Sequence, residues 1–238
     1  MTHATRVTAP RGGSTTETRI LVMVGAPGAG KGTQSQRLAA RLGLPSVSTG
    51  DLFRAALRDD SPLGRSVRPY IERGSLVPDE ITVQVIADRL TQPDAAAGII
   101  LDGFPRTRAQ AAALDELCAE RRMSVLAALY IDVELEELVA RLGGRQVCGA
   151  PESHSFHPRG NPPRVAGRCD VDGTALHERE DDKPATVRAR LREQLAPMYE
   201  VVDHYNGTGA LCTIAGDQPI DEVTRELVRA VERRSARA

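Results

Sequence analysis

Short apolar runs alternate along the chain with longer stretches whose apolar residues recur three and four positions apart. Residues 20–24, Ile20-Leu21-Val22-Met23-Val24, are apolar throughout. The run is too short for a helix and lacks the alternation of a half-solvated strand, so it reads as a strand buried on both faces. Residues 46–47, 98–101, 126–131 and 211–214 give four further strands. Helical spacing fills 31–42, 50–58, 79–91, 107–121, 134–142, 184–205 and 219–234. Strands separated by helices pair in parallel through right-handed crossovers, so the pattern predicts an α/β fold: a five-stranded parallel sheet flanked by helices. Two stretches break the rhythm. Residues 48–77 are helix-rich with no strand, and 144–182 are rich in Gly, Pro, Asp, His and Cys, with Gly160-Asn161-Pro162-Pro163 excluding helix there. Both read as lobes inserted over one face of the sheet.

The first strand runs into Gly25-Ala26-Pro27-Gly28-Ala29-Gly30-Lys31-Gly32-Thr33, and a helical pattern follows. Glycines let backbone N–H groups converge on phosphate oxygens, and the positive end of the helix dipole favours the same anion. This strand–loop–helix order predicts a fold of the P-loop nucleotide-binding type. A P-loop has Ser or Thr directly after its lysine; here Gly32 intervenes before Thr33. Lys31 stands out by composition. Of 31 basic residues only Lys31 and Lys183 are lysine, the other 29 being arginine. A compact ammonium inside a glycine loop can act as a point charge between phosphates, which a guanidinium fork cannot.

Length and charge narrow the class. The 238 residues give room for one α/β core with lobes, and a formal net charge of −1 offers no basic field for nucleic acid or an anionic membrane. No apolar run approaches the ~20 residues of a membrane span. Residues 1–18 are polar, lack the apolar segment of a secretory signal and read as a disordered extension to a domain over 19–238. Four cysteines without such a signal point to a reducing, cytoplasmic setting.

Two further motifs lie at strand ends, where open α/β sheets bind ligands. Ser48-Thr49-Gly50-Asp51-Leu52-Phe53-Arg54 follows the second strand, and Asp102-Gly103-Phe104-Pro105-Arg106-Thr107, with Gln110 one turn on, follows the third. Together with Leu76-Val77-Pro78-Asp79-Glu80-Ile81 and Arg179-Glu180-Asp181-Asp182, these motifs resemble, in one order, those of the adenylate kinase family of nucleoside monophosphate kinases. The likeness covers roughly 19–236, and the Gly-Lys-Gly-Thr loop is that family's own form.

The resemblance implies Mg²⁺-dependent conversion of ATP and AMP into two ADP by a monomer. It implies an acceptor-binding lobe at 48–77 and a lid at 144–182. Gly28, Ala29, Gly30, Lys31, Gly32 and Thr33 would cradle the donor phosphates. Arg141 and Arg145 would lie against the donor, with Ser155, Phe156 and the Gln218 backbone bordering its adenine. Thr49, Arg54, the Ser75-Leu76-Val77 backbone, Gly103 to Arg106 (through Phe104 and Pro105) and Gln110 would hold AMP. Arg179 and Arg190 would reach in from the lid and its following helix, and Asp102 and Asp51 would hold Mg²⁺ through water. Lys31, Arg106, Arg145, Arg179 and Arg190 would form the catalytic ring of cations. Phosphoryl transfer needs in-line positioning and charge neutralisation more than covalent help, which a ring of phosphate-binding forks supplies. Taken one at a time, Arg54 could cap a helix, Arg190 could pair with Glu193 and Asp102 with Arg106. Thr49 and the long insert favour AMP over pyrimidine monophosphates. A GTP donor, or a nucleotide-sensing relative with weak catalysis, stays open.

The lid carries Cys148, with Cys169-Asp170-Val171-Asp172 further on. The family's metal-bearing lids have a second cysteine where Pro151 stands. His154 offers a replacement, and Cys148, His154, Cys169 and Asp172 form an acceptable tetrahedral Zn²⁺ set. Metal-free lids also occur, and the two thiols could simply pack together. Gly160 and Gln146 replace residues that the family uses near the donor base. His157 reads as part of the family pattern, His3, His177 and His204 as surface residues, and Cys118 and Cys212 as core thiols.

Overall fold

A computed structural model describes residues 18–150, 154–158, 160–179 and 182–237. The first 17 residues, Pro151, Glu180 and Asp181 lie outside the described residues. The central sheet is formed by β1 (Thr18–Val24), β2 (Ser46–Ser48), β3 (Ile99–Asp102), β4 (Met123–Asp132) and β8 (Leu211–Ala215). Its order is β2-β3-β1-β4-β8, with every pairing parallel. The five expected strands are all present. Thr18, assigned to the extension by its polarity, instead opens β1 opposite Met123.

The apolar run of β1 is central for the reason its composition gives. Ile20 to Val24 are all buried between helices on both faces. The flanking helices α1 (Lys31–Leu42), α4 (Asp79–Arg89), α5 (Arg108–Arg121), α6 (Leu135–Leu142), α7 (Pro184–Gly207) and α8 (Ile220–Ser235) depart from their predicted bounds by at most two residues. α1 ends at Gly43, whose left-handed conformation (φ 66°) closes the helix.

Residues 48–77 form the helix pair α2 (Thr49–Arg58) and α3 (Pro62–Arg73), around their own small core of Phe53, Val67 and Val77. α3 starts where capping chemistry dictates: Ser61 accepts a hydrogen bond from the Gly64 N–H at 3.0 Å, and Pro62 occupies the first turn. Pro69 does not break this helix. In the second insert the chain makes a three-stranded antiparallel sheet, ordered β6 (Ser155–Phe156), β5 (Gln146–Cys148), β7 (Leu176–Glu178). Composition gave no sign of these strands, which are two or three residues long and hold together around Cys148, Phe156 and Cys169.

Two side chains depart from their expected surroundings. His204 is only 15% exposed and its Nε2 lies 2.7 Å from the Asp115 carboxylate, because α7 packs on α5 there. Cys212 is half-buried rather than in the core, with the Arg234 guanidinium 3.5 Å from its sulfur. Cys118 is buried and His177 exposed, as expected.

Candidate active site

The register of the central sheet assembles the site. Met23 of β1 pairs with Asp102 of β3, and Ser48 of β2 pairs with the same Asp102. The glycine loop, the Thr49 segment and the Asp102–Arg106 segment therefore leave the sheet side by side at its carboxyl edge. Gly28 and Gly30 hold φ of 89° and 94°, and Gly30 caps α1 with no side-chain cap. The first turn of α1 contains no acidic residue. The N–H groups there thus have no negative group on the helix to satisfy them, which suits an anion.

Lys31 folds back across this loop and donates to the carbonyls of Gly25 at 2.7 Å and Ala26 at 3.0 Å. Burial pushes its ammonium down to about 8, Asp102 opposes this, and Arg106, Arg190 and Arg145 add to it. Asp102 is 8% exposed, and burial pushes its carboxyl up against the pull of Lys31 and Arg106. Such mutually perturbed groups, with three arginines acting on Lys31, are the electrostatic mark of a candidate functional site.

Beside the loop lie two clefts. The larger has about 550 Å³ of empty space and is lined by Thr49, Arg54, Ser75, Leu76, Val77, Gly103, Arg106, Gln110 and Arg190, among others. The second, about 440 Å³, is lined by Gly25, Pro27, Lys31, Pro105 and Met198 among others. Gly103, Arg106, Arg190 and Gln194 belong to both, so these four residues form the wall between them. Local hydrogen bonds fix that wall. Thr49 Oγ1 donates to the Gly103 carbonyl at 2.8 Å, and Arg106 Nε donates to the same carbonyl at 2.8 Å. The Arg106 N–H donates to Gln110 Oε1 at 2.8 Å, while Gln110 Nε2 and Thr107 Oγ1 both donate to Asp79.

The arginines are held by carboxylates. The Asp182 carboxylate, with no exposed surface, accepts Arg145 Nε at 2.6 Å, Arg145 Nη2 at 2.5 Å and Arg190 Nη1 at 3.0 Å. Asp51 lies 2.6 Å from Arg54 and 3.8 Å from Arg179. Burial would raise the Asp51 carboxyl, but Arg54 and then Arg179 hold it below its usual range. Asp51 is thus paired with Arg54 and Arg179. The partners suggested for single residues also change: Arg190 takes Asp182 rather than Glu193, and Arg54 takes Asp51.

Other expected site residues lie elsewhere. Phe104, expected at the acceptor, has no exposed surface and belongs to the core. Phe156 packs with Cys148 and Cys169 inside the lid sheet and pairs with Gln146 of β5. Arg141 donates to Glu137 at 2.7 Å and to the Gly216 carbonyl at 2.9 Å, and Gln218 donates to Ala215. These two therefore sit together at the end of β8, and neither lines the two clefts described above. Asp182 and Gln194 carry much of the site's hydrogen bonding without having been expected to. The signals that could have found them are the acidic end of the Arg179–Asp182 motif and the four-residue spacing of Gln194 from Arg190 on one helix face.

In the lid, the ligand atoms of Cys148, His154, Cys169 and Asp172 lie within 4.8 Å of one another. His154 Nδ1 is 3.3 Å from Cys148 Sγ, 3.5 Å from Cys169 Sγ and 3.3 Å from Asp172 Oδ2. Thr174 holds the other oxygen of Asp172 through its N–H at 2.9 Å and its hydroxyl at 2.5 Å. His157 is turned away, with Nε2 3.1 Å from the Gly143 carbonyl.

A glycine loop at a strand end, with a lysine inside it and a second cation-walled cleft alongside, is the arrangement of a P-loop phosphotransferase. The adenylate kinase family profile matches residues 23–210. The adenylate kinase of Streptomyces coelicolor is 46% identical over 213 residues, covering 90% of this chain and 98% of that protein. That of Exiguobacterium sibiricum is 45% identical over 203 residues, covering 85% and 94%, and that of Staphylococcus epidermidis 42% over 208, covering 87% and 96%. The chain belongs to the adenylate kinase family.

Proposed function

We propose that this enzyme transfers the terminal phosphoryl group of ATP to AMP, reversibly, giving two ADP. The observation that carries the reading is the shared wall: two clefts, one at the Lys31 loop and one at Thr49 and Arg54, meet at Arg106 and Arg190. Donor phosphates would lie against the N–H groups of 28–33, with Lys31 between them. The acceptor would lie in the larger cleft, its base against Thr49, Gln110 and the 75–77 backbone and its phosphate against Arg54, Arg106 and Arg190. An acceptor phosphate oxygen attacks the terminal phosphorus, the bond to the bridging oxygen breaks, and its electron pair leaves on the donor diphosphate. A phosphate oxygen is already a nucleophile, so no general base is required. The arginines orient the two anions and offset their repulsion.

Mg²⁺ carried with ATP supplies further charge neutralisation. Asp102, buried and acted on by the Lys31 charge, would hold its waters. Arg145 and Arg179 would join the ring as phosphate replaces Asp182 and Asp51 as their partner. Residues 48–77 and 144–182 serve as lobes that close over acceptor and donor and exclude water.

The lid cluster fits Zn²⁺. Bonds of about 2.3 Å to sulfur and 2.0 Å to nitrogen or oxygen put tetrahedral sulfur–nitrogen edges near 3.5 Å and nitrogen–oxygen edges near 3.3 Å. The separations around His154 match these edges. Among the described residues the lid's own buried cluster is just Cys148, Phe156 and Cys169, so the ion would supply much of what holds it folded. Purified protein is expected to contain one equivalent of Zn²⁺; less than half an equivalent with reduced thiols overturns the assignment.

The test of activity is formation of ADP from ATP and AMP with Mg²⁺, repeated with GTP and with other monophosphates. Turnover confined to ATP and AMP supports the proposal. Tight binding of a bisubstrate adenine dinucleotide without turnover overturns it in favour of a sensor.

A further inference from the structure

Gln194 was given no role by the motifs, yet it borders both clefts. It lies on α7 one turn beyond Arg190 and one turn before Met198, and all three line the second cleft, so they share one helix face. The side chain is 8% exposed. Its Nε2 donates to the Gly74 carbonyl at 2.9 Å and its Oε1 accepts Arg106 Nη1 at 3.1 Å. The chemistry of the partners forces this orientation of the amide: a carbonyl can only accept and a guanidinium can only donate.

Both partners matter for the acceptor. Gly74 is the left-handed residue (φ 75°) that ends α3 and returns the lobe to the 75–77 backbone. A Cβ there would meet Arg190 Cγ at 2.7 Å, so α7 is packed directly on this turn. Arg106 is held by the Gly103 carbonyl through Nε, and Gln194 fixes a second edge of its fork. One neutral side chain thus links the end of the acceptor lobe to the guanidinium between the two anions.

We infer that Gln194 is a positioning residue for the acceptor, setting the Arg106 fork and the Gly74 turn in one register. The inference rests on the proposed reaction. A neutral amide suits the position because it bridges a donor and an acceptor without adding charge. A carboxylate there would accept from Arg106, neutralise a cation meant for phosphate and oppose the Gly74 carbonyl.

The test is steady-state kinetics of Gln194→Met and Gln194→Glu beside the wild type, with thermal melts to confirm folding. Gln194→Met keeps length and volume and loses both hydrogen bonds. Expected is an increase of about tenfold in KM for AMP and a fall of several-fold in kcat, with KM for ATP within twofold. Gln194→Glu is expected to be worse in both. In an Arg106→Lys background the effect of Gln194→Met on kcat is expected to shrink to within twofold, since Gln194 acts through that guanidinium. Wild-type protein without AMP turnover overturns the underlying reading. Active wild type, with a folded Gln194→Met whose kcat and KM for AMP stay within twofold, overturns this inference alone. Equal effects on both substrates, or full additivity with Arg106→Lys, also overturn it.

Discussion

The central sheet and the lid of this molecule are built on opposite principles. Around β1, β3 and β4 the buried residues are chiefly Ile, Leu, Val, Met and Ala, and they belong to one cluster through the sheet and its helices. In the lid the buried cluster is Cys148, Phe156 and Cys169, with Ala150 and Leu176 half-buried around it, while Val165 and Val171 are exposed at 60% and 69%. The core is held by burial of apolar surface. The lid depends on polar groups that meet at a point, around His154 on one side and at Asp182 where the chain returns to α7. A region held by burial is stable and stiff, whereas one held at a few polar points can move as a unit. That division suits a reaction in which phosphates are gripped on a fixed loop and water is excluded by something that moves.

The largest expected contrast is in stability. Ile100 has no exposed surface and lies in the middle of β3. Ile100→Ala should cost about 4 kcal/mol through lost transfer energy and an unfilled cavity. Val171→Ala, at an exposed position, should cost less than about 0.5 kcal/mol. Denaturant melts of both variants check this. A similar cost for the two would mean that the lid shares the core's packing, and the comparison would fail.

What could be read in the sequence follows the same division. The core announced itself because burial writes periodicity: β1 and α1 were legible from residues 20–24 and 31–42 alone. The Lys31 loop, Thr49, Arg54, Asp102 and Arg106 were legible because each sits in a short motif at a strand end. The lid strands were not, since two or three residues carry no period and their pairing joins Gln146 to both Phe156 and Glu178. The roles of Asp182 and Gln194 were hidden for a related reason. Each has a partner across the fold, Arg145 being 37 positions from Asp182 and Gly74 120 from Gln194, and the local signals at these residues do not name those partners.

Asp182 tests the seam between the two regions. Asp182→Asn leaves Arg145 and Arg190 beside a neutral amide in a site only 18% and 11% exposed at those side chains. Breaking a buried pair in this way should cost about 3 kcal/mol in the free protein. A bound nucleotide offers phosphate in place of the lost carboxylate, so saturating bisubstrate dinucleotide should raise the Tm of the variant by more than that of the wild type. An equal rise in both would show that Asp182 does not occupy the role of a phosphate.

Lys31 tests the fixed part. Lys31→Ala should remove about 3 kcal/mol of transition-state stabilisation, a loss of 10² or more in kcat/KM, with the fold retained. Near-normal turnover would displace the donor phosphates from the loop.

The smallest expected effect is a proton on the same lysine. Its ammonium is pushed down to about 8 by burial, with Arg106, Arg190 and Arg145 contributing, against an ordinary 10.5. Between these two values the unfolded chain keeps a proton that the folded chain has released. The unfolded state therefore binds more protons, and this group's contribution to stability increases as pH rises through that window. Activity should move the other way, because the neutral amine cannot neutralise phosphate. kcat/KM for the donor should be level below about pH 8 and fall above it, by at most tenfold per pH unit. Lys31→Arg, whose guanidinium stays charged, should lack that break. The stability of wild type relative to Lys31→Met should rise over the same range. A wild type that instead loses stability relative to Lys31→Met above pH 8 would mean that burial does not disfavour the ammonium. The stiff half of the molecule would then hold no charge in waiting for a phosphate, and the contrast with the lid would be one of packing alone.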